Sequence, residues 1–232
     1  MAQSETIAHP ATVQAIFDRI APEYDRFNAW ASLGMHHSWR EILAREIPPG
    51  ARVLDIATGT GDVAFLAHEK GHDVVGLDFS ERMIARARAK DKSGEILWMV
   101  GSADQLPFAE RSFGCVTSAF ALRNLRSCLD AVFRDTYRVL KSGGVALHLD
   151  FGRPHFLPLR WGHRLHMTYG VPLIGRLLFG ERWPKGYLET TIEHFYEPAE
   201  VEELMQSAGF NDVTHQPILG GVVQLYRGLK TC

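Results

Sequence analysis

The sequence predicts an α/β fold: a mostly parallel seven-stranded sheet with helices on both faces, finished by a C-terminal antiparallel hairpin. Three observations predict it. Short β-like runs alternate with helix-like segments through residues 51–152, a glycine-rich turn joins the first run to the first helix, and the last two runs are separated only by Leu219–Gly221. Alternation at this spacing implies βαβ crossovers and parallel strands. So short a connection implies antiparallel pairing.

The elements follow in order. RVLDIA (52–57) reads as a strand, and DVAFLAHEKG as a helix ended by Gly71. DVVGLDFS (73–80) is the second strand, and SERMIARARAK starts from Ser80 as an N-cap. EILWMVGS (95–102) and SFGCVTSAF (112–120) are the third and fourth strands. The helix-like SCLDAVFRDTYRVLKSGG is expected to stop at its glycine pair, and GVALHLDFG (144–152) is the fifth strand. PAEVEELMQSAGF reads as a helix from Pro198, and NDVTHQPI and GGVVQLYRG form the hairpin. Two segments stand outside this core: residues 10–47, helical and aromatic-rich (Phe17, Tyr24, Phe27, Trp30, Trp39), and an insert over 153–197. We read one domain over 1–232, with a helical cap (10–47), a core (51–152), the insert, and a C-terminal helix and hairpin (198–232).

Composition narrows the function classes. The 232 residues are 46% hydrophobic and 22% charged with a net charge of −2, which provides no general field for nucleic acid or anionic lipid. Cys115, Cys128 and Cys232 are odd in number and lack any CxxC, arguing against a disulfide framework or zinc site. No signal peptide and no membrane-spanning run is read, so a cytoplasmic protein is expected. No Asn-Pro-Pro-aromatic motif is present; Ile47-Pro48-Pro49-Gly50 reads as a turn ending a helix.

The chemistry centres on DIATGTGD (55–62), which follows a strand and opens a helix. Gly59 and Gly61 let the backbone turn tightly and approach a ligand. Dinucleotide-binding folds share G-x-G-x-x-A, and a purely structural turn is the bland alternative. The neighbours favour S-adenosylmethionine. Asp55 at the strand end suits an ammonium better than a pyrophosphate, Asp78 can accept from both ribose hydroxyls, and Ser102, Ala103 and Asp104 stand where adenine contacts are expected. Asp78 could also be a helix N-terminal charge, and Asp104 a turn cap.

Several motifs together resemble the ubiquinone/menaquinone biosynthesis C-methyltransferases. They include VQAIFDRIAPEYDRFNAWASLGMHHSWR (13–40), VLDIATGTGD (53–62), SADQLPFAERSF (102–113), AFALRN (119–124), YRVLKSGG (137–144), VPLIGRLL (171–178), GYLETTI (186–192) and GGVVQLYRG (220–228). The resemblance implies a Rossmann-like class I methyltransferase without a metal, using S-adenosylmethionine and releasing S-adenosylhomocysteine. Its acceptor would be the ring of demethylmenaquinol or of a polyprenyl-benzoquinol. It places Thr60, Asp78, Phe79, the Ser102–Ala103 pair and Ala119 at the cofactor, and Tyr24, Arg123 and Asn124 at the acceptor. The family usually carries Asp or Asn at Ser102 and Ser at Ala119. It also carries tyrosines near Lys185, Gly186, Tyr187, Leu188 and Thr191, and a Tyr-Asp-x-Tyr pattern at HRLH (163–166), so another phenolic or lipid acceptor stays open. A non-catalytic cofactor-binding subunit is a third reading.

Carbon methylation of a quinol needs electron density on a ring carbon, which a phenolate supplies. Arg123 stays protonated, so the implied role is to hold a phenolate or position a water, with Asn124 and Tyr24 orienting the ring. The bland alternatives are an ion pair to a neighbouring helix for Arg123, a turn for Asn124 and aromatic packing for Tyr24. His155, His163 and His166 could contact the ring, ligate a metal with help from elsewhere, or simply pack. The insert FLPLRWGHRLHMTYGVPLIGRLLFG (156–180) mixes apolar residues with Arg160, Arg164 and Arg176 and has no acid. It is expected either to touch an anionic bilayer as a peripheral contact or to pack as a cap. A homodimer is left open.

Overall fold

In the computed structural model residues 10–154, 156–183 and 186–231 are described; His155, Lys185 and Cys232, singled out above, lie outside them. The strands are β1 (Val53–Ile56), β2 (Val74–Asp78), β3 (Leu97–Val100), β4 (Phe113–Ala119), β5 (Leu140–Phe151), β6 (Asn211–Ile218) and β7 (Val223–Leu229). They form one sheet in the order β3-β2-β1-β4-β5-β7-β6. The first five are parallel, and β7 runs antiparallel between β5 and β6. β1 is buried along its whole length, as expected of a central parallel strand covered on both faces.

The helices are α1 (Pro10–Ile20), α2 (Tyr24–Ala31), α3 (Met35–Arg45), α4 (Asp62–Glu69), α5 (Glu81–Lys90), α6 (Leu129–Val139), α7 (Leu157–Leu165), α8 (Val171–Phe179), α9 (Tyr187–Glu193) and α10 (Pro198–Ser207). One face of the sheet packs on Trp39, Leu43, Val63 and Ile84 of α3, α4 and α5. The other packs on Val132, Phe133, Val201 and Met205 of α6 and α10. A third cluster, with Ile20, Phe27, Val171, Phe179 and Trp183, joins the N-terminal cap to the insert.

The caps behave as read. Ser80 Oγ accepts from Met83 N at 3.1 Å, and α10 starts on a capping box between Glu197 and Glu200 with Pro198 at its first turn. One expectation is corrected: α6 ends at Val139, and β5 starts at Leu140. The apolar stripe of α6 closes at Val139. Leu140 then goes extended to pair with Phe113, and the Gly143–Gly144 pair falls in a bulge of β5. The free carbonyls of the helix end are taken by Lys230, whose Nζ donates to Tyr137 O at 2.7 Å and Leu140 O at 2.8 Å.

Candidate active site

Strand order reverses at β1, which has β2 on one side and β4 on the other; open α/β sheets bind ligands in the crevice beyond the strand ends there. Two non-glycine residues turn left-handed at those ends: Ala57 after β1 at φ 49° and Phe120 after β4 at φ 60°. Such conformations cost energy and concentrate at functional sites. Both residues line a cleft that opens over the ends of β1, β2 and β4.

The cleft gathers Gly59, Asp78, Phe79, Ser102, Ala103 and Ala119 of the predicted cofactor residues. Asp78 anchors it. Its Oδ2 accepts from Gly59 N at 2.8 Å and its Oδ1 from Ser80 N at 2.9 Å, so the backbone itself aims the carboxylate. Burial raises its pKa to about 6 against those two hydrogen bonds. Ser102 Oγ donates to Asp104 beside it.

Three predicted residues do not line the cleft. Asp55 is 1% exposed. Its two oxygens accept from Thr58 Oγ1 at 2.5 Å and Thr117 Oγ1 at 2.7 Å, and burial raises its pKa to about 6. It therefore binds the loop to β4 from beneath. Gly61 caps α4 at φ 90°, and a Cβ there would come within 2.5 Å of the Trp98 ring, so only glycine fits. Thr60 points the other way, donating from Oγ1 to Asp25 Oδ1 of α2 at 2.5 Å. Lys90 joins the same network, reaching Asp25 at 3.2 Å and Asp62 at 3.1 Å, and Arg40 reaches Asp62 at 3.5 Å. The helical cap is thus fastened to the glycine loop.

A second, roomier cavity lies between the N-terminal cap, the ends of β4 and β5, and the insert. Its lining is mostly apolar, with Phe27, Met35, Trp39, Phe151, Met167 and Trp183 among its walls. Phe17, Tyr24 and Phe120 line both chambers, so the two meet there. The Tyr24 ring also lies beside Gly59, where a Cβ would be 3.8 Å from its Cε1. Burial raises the pKa of the Tyr24 hydroxyl, against the pull of Arg40 and Arg123, so it is a neutral donor near pH 7.

Arg123 and Asn124 stand at the same junction. Arg123 is buried in the floor of the cavity, its Nη1 donating to Asp150 Oδ1 at 2.7 Å and to Phe120 O at 2.6 Å. Its backbone N also donates to Asp150 Oδ2 at 3.0 Å, while its Nε has no hydrogen-bond partner among the described residues. The ion pair is to a strand end, whereas the sequence alternative had been a helix. Asn124 lines the cleft, and its Oδ1 accepts from the Tyr187 hydroxyl at 2.9 Å across to the cavity. Burial pushes Tyr187 up to about 12.

Sequence reasoning missed Asp150, the Tyr187–Asn124 bond, and His36 with Arg40. A carboxylate ending the fifth strand was the available signal for Asp150. His36 lines the cavity and donates from Nδ1 to Ser32 Oγ at 2.9 Å, because that hydroxyl gives its own proton to Asn28 O at 2.7 Å. Burial and Arg40 hold it neutral, its pKa lowered to about 4. His163 and His166 also face the cavity, and His166 Nε2 donates to Ala31 O at 2.7 Å. Among the described residues no group of three or more His, Cys, Asp or Glu side chains is arranged to hold a metal.

Comparison with known proteins adds to this geometry. A sequence profile described as the ubiE/COQ5 methyltransferase family matches residues 5–230. The chain is 35% identical over 222 residues to the ubiquinone/menaquinone biosynthesis C-methyltransferase UbiE of Desulfotalea psychrophila, covering 94% of this chain and 90% of that one. It is 37% identical over 219 residues to the 2-phytyl-1,4-naphtoquinone methyltransferase of Thermosynechococcus vestitus, covering 92% and 96%. In fold it is similar to a SAM-dependent methyltransferase from Thermotoga maritima, with a TM-score of 0.67 and 21% identity over 94% of this chain and 100% of that chain.

Proposed function

The chain belongs to the ubiE/COQ5 methyltransferase family and is a methyltransferase; on that premise we propose that it methylates a ring carbon of a prenylated quinol, of demethylmenaquinol or polyprenyl-benzoquinol type. The observation that carries the reading is the shared wall. A cleft anchored by a carboxylate meets a large apolar cavity at Tyr24, Phe17 and Phe120, as transfer between two ligands requires.

S-adenosylmethionine, leaving as S-adenosylhomocysteine, supplies an electrophilic methyl group on a sulfonium. The residues lining the cleft fit it: Asp78 would accept from vicinal hydroxyls, Phe79, Ser102 and Ala103 would border the adenine, and Gly59 with Ala119 would leave room for close approach. Asp55, Thr60 and Gly61 shape the loop from behind. At the acceptor, Arg123 offers positive charge to a ring oxygen while Asp150 fixes its guanidinium, and the proton passes to water or another base. Tyr24 donates to a ring oxygen, and Asn124, held by Tyr187, sets the ring's orientation. No helix among the described residues is long and apolar enough to cross a membrane. The proposed site of action is the cytoplasmic face of the membrane in which such acceptors dissolve.

The test is incubation with labelled S-adenosylmethionine and, in parallel, short-tailed reduced demethylmenaquinol and demethylated benzoquinol analogues. Label in the ring of one is expected. Label in neither, with cofactor binding intact, would move the activity to another acceptor.

A further inference from the structure

The segment covering the acceptor cavity is helical from Leu157 to Phe179, with a π-turn at His166–Gly170 between α7 and α8. Its inner face, including Leu159, His163, Met167 and Val171, lines the cavity. Its outer face is also apolar. Leu157, Trp161, Leu165, Tyr169, Leu173 and Leu177 recur at every fourth position, each between 59% and 71% exposed, and Phe156 adds to the stripe at 67%. A strict i+4 row drifts around an α-helix, and a π-turn, with more residues per turn, steps it back.

The charges beside the stripe have one sign. Arg160, Arg164 and Arg176 are exposed, none forms an ion pair among the described residues, and no Asp or Glu occurs between 152 and 180. Exposed apolar surface of this extent marks an interaction face. Long arginine side chains flanking it can keep their guanidinium groups in a polar layer while the stripe is buried. A second copy of the chain is a poor occupant, because a two-fold contact would set these arginines against one another.

We propose that this face docks on an anionic phospholipid surface, with Trp161, Leu165 and Leu177 entering the acyl boundary and the arginines meeting phosphate groups. Resting on the reading of a prenylated acceptor, the cavity beneath the helix is then presented to the layer that holds the acceptor's tail.

Flotation with vesicles of phosphatidylcholine alone, and of phosphatidylcholine mixed with phosphatidylglycerol, tests the face without using catalysis. The wild-type chain is expected to float with the anionic vesicles only. The triple variants Trp161→Ser/Leu165→Ser/Leu177→Ser and Arg160→Glu/Arg164→Glu/Arg176→Glu should each bind roughly a hundredfold more weakly. Both should keep wild-type turnover on a water-soluble short-tailed quinol and lose it on a long-tailed quinol embedded in vesicles. Equal flotation with neutral vesicles, no flotation at all, or variants that float like the wild type would overturn the proposal. So would a wild-type dimer in solution that the serine variant dissolves. Flotation without turnover on any quinol supports the face and counts against the acceptor.

Discussion

The cleft over the strand ends and the apolar cavity beside it share a wall, yet they are built by opposite means. The cleft is made where strands end, and backbone amides position its key carboxylate: Asp78 is aimed by Gly59 N and Ser80 N. The cavity is made by side chains from the cap, two strand ends and the insert, which only the tertiary fold brings together. Arg123, a buried charge at the junction, is set by another side chain, Asp150. A backbone-built site tolerates changes in the residues around it. A side-chain-built one can change its ligand with a few substitutions, and His163, His166, Tyr187 and Leu188, which lie in segments departing from the family pattern, line it.

The largest effect expected from breaking this division is at Arg123. Arg123→Ala alone would leave Asp150 buried and unpaired, destabilising the fold by about 3–5 kcal/mol, so the informative variant is Arg123→Met with Asp150→Asn. It should lower kcat by about 10²–10³-fold while leaving cofactor Kd unchanged by titration calorimetry. Loss of cofactor affinity in step with kcat would erase the division.

Next is Asp78→Asn, which replaces an acceptor aimed at two backbone donors with an amide. Cofactor Kd should rise by about 10–100-fold, with kcat at saturating cofactor kept within a few-fold. Tyr187→Phe is smaller. It removes the bond that holds Asn124 and should lower kcat/KM for the quinol by about 2–10-fold without moving cofactor Kd. The smallest effect is in pH. The Asp78 carboxyl has its pKa raised to about 6, and its full acceptor capacity needs the ionised form. Cofactor affinity should be flat above that value and weaken several-fold as pH falls through it, a dependence that Asp78→Asn removes.

The same division decides what could be read from the sequence. β1, β2 and β4, the Ser80 cap and the terminal hairpin are local patterns of periodicity and turn chemistry, and they are legible. So are Gly59 and Asp78, because the glycine turn and the next strand end are adjacent across β1 and β2. Thr60 was placed at the cofactor by resemblance, yet its hydroxyl turns toward Asp25, a partner 35 residues away that no local pattern indicates. The end of α6 was misread for the same reason: its terminal carbonyls are satisfied by Lys230, about 90 residues later. Arg123 was legible as an unusual charge at a strand end. Its bond to Asp150 depends on β4 and β5 lying side by side in a particular register.

Tyr24 forms part of both chambers, and that has a thermodynamic consequence. A side chain ordered by whichever ligand arrives first is already in place for the second, so the two ligands act on one equilibrium. By linkage, the factor by which cofactor tightens acceptor must equal the factor by which acceptor tightens cofactor. Calorimetric titrations run in both orders, with S-adenosylhomocysteine and a quinol, would measure that factor twice. In Tyr24→Ala it should fall towards one, with Phe17 and Phe120 left as the remaining shared wall.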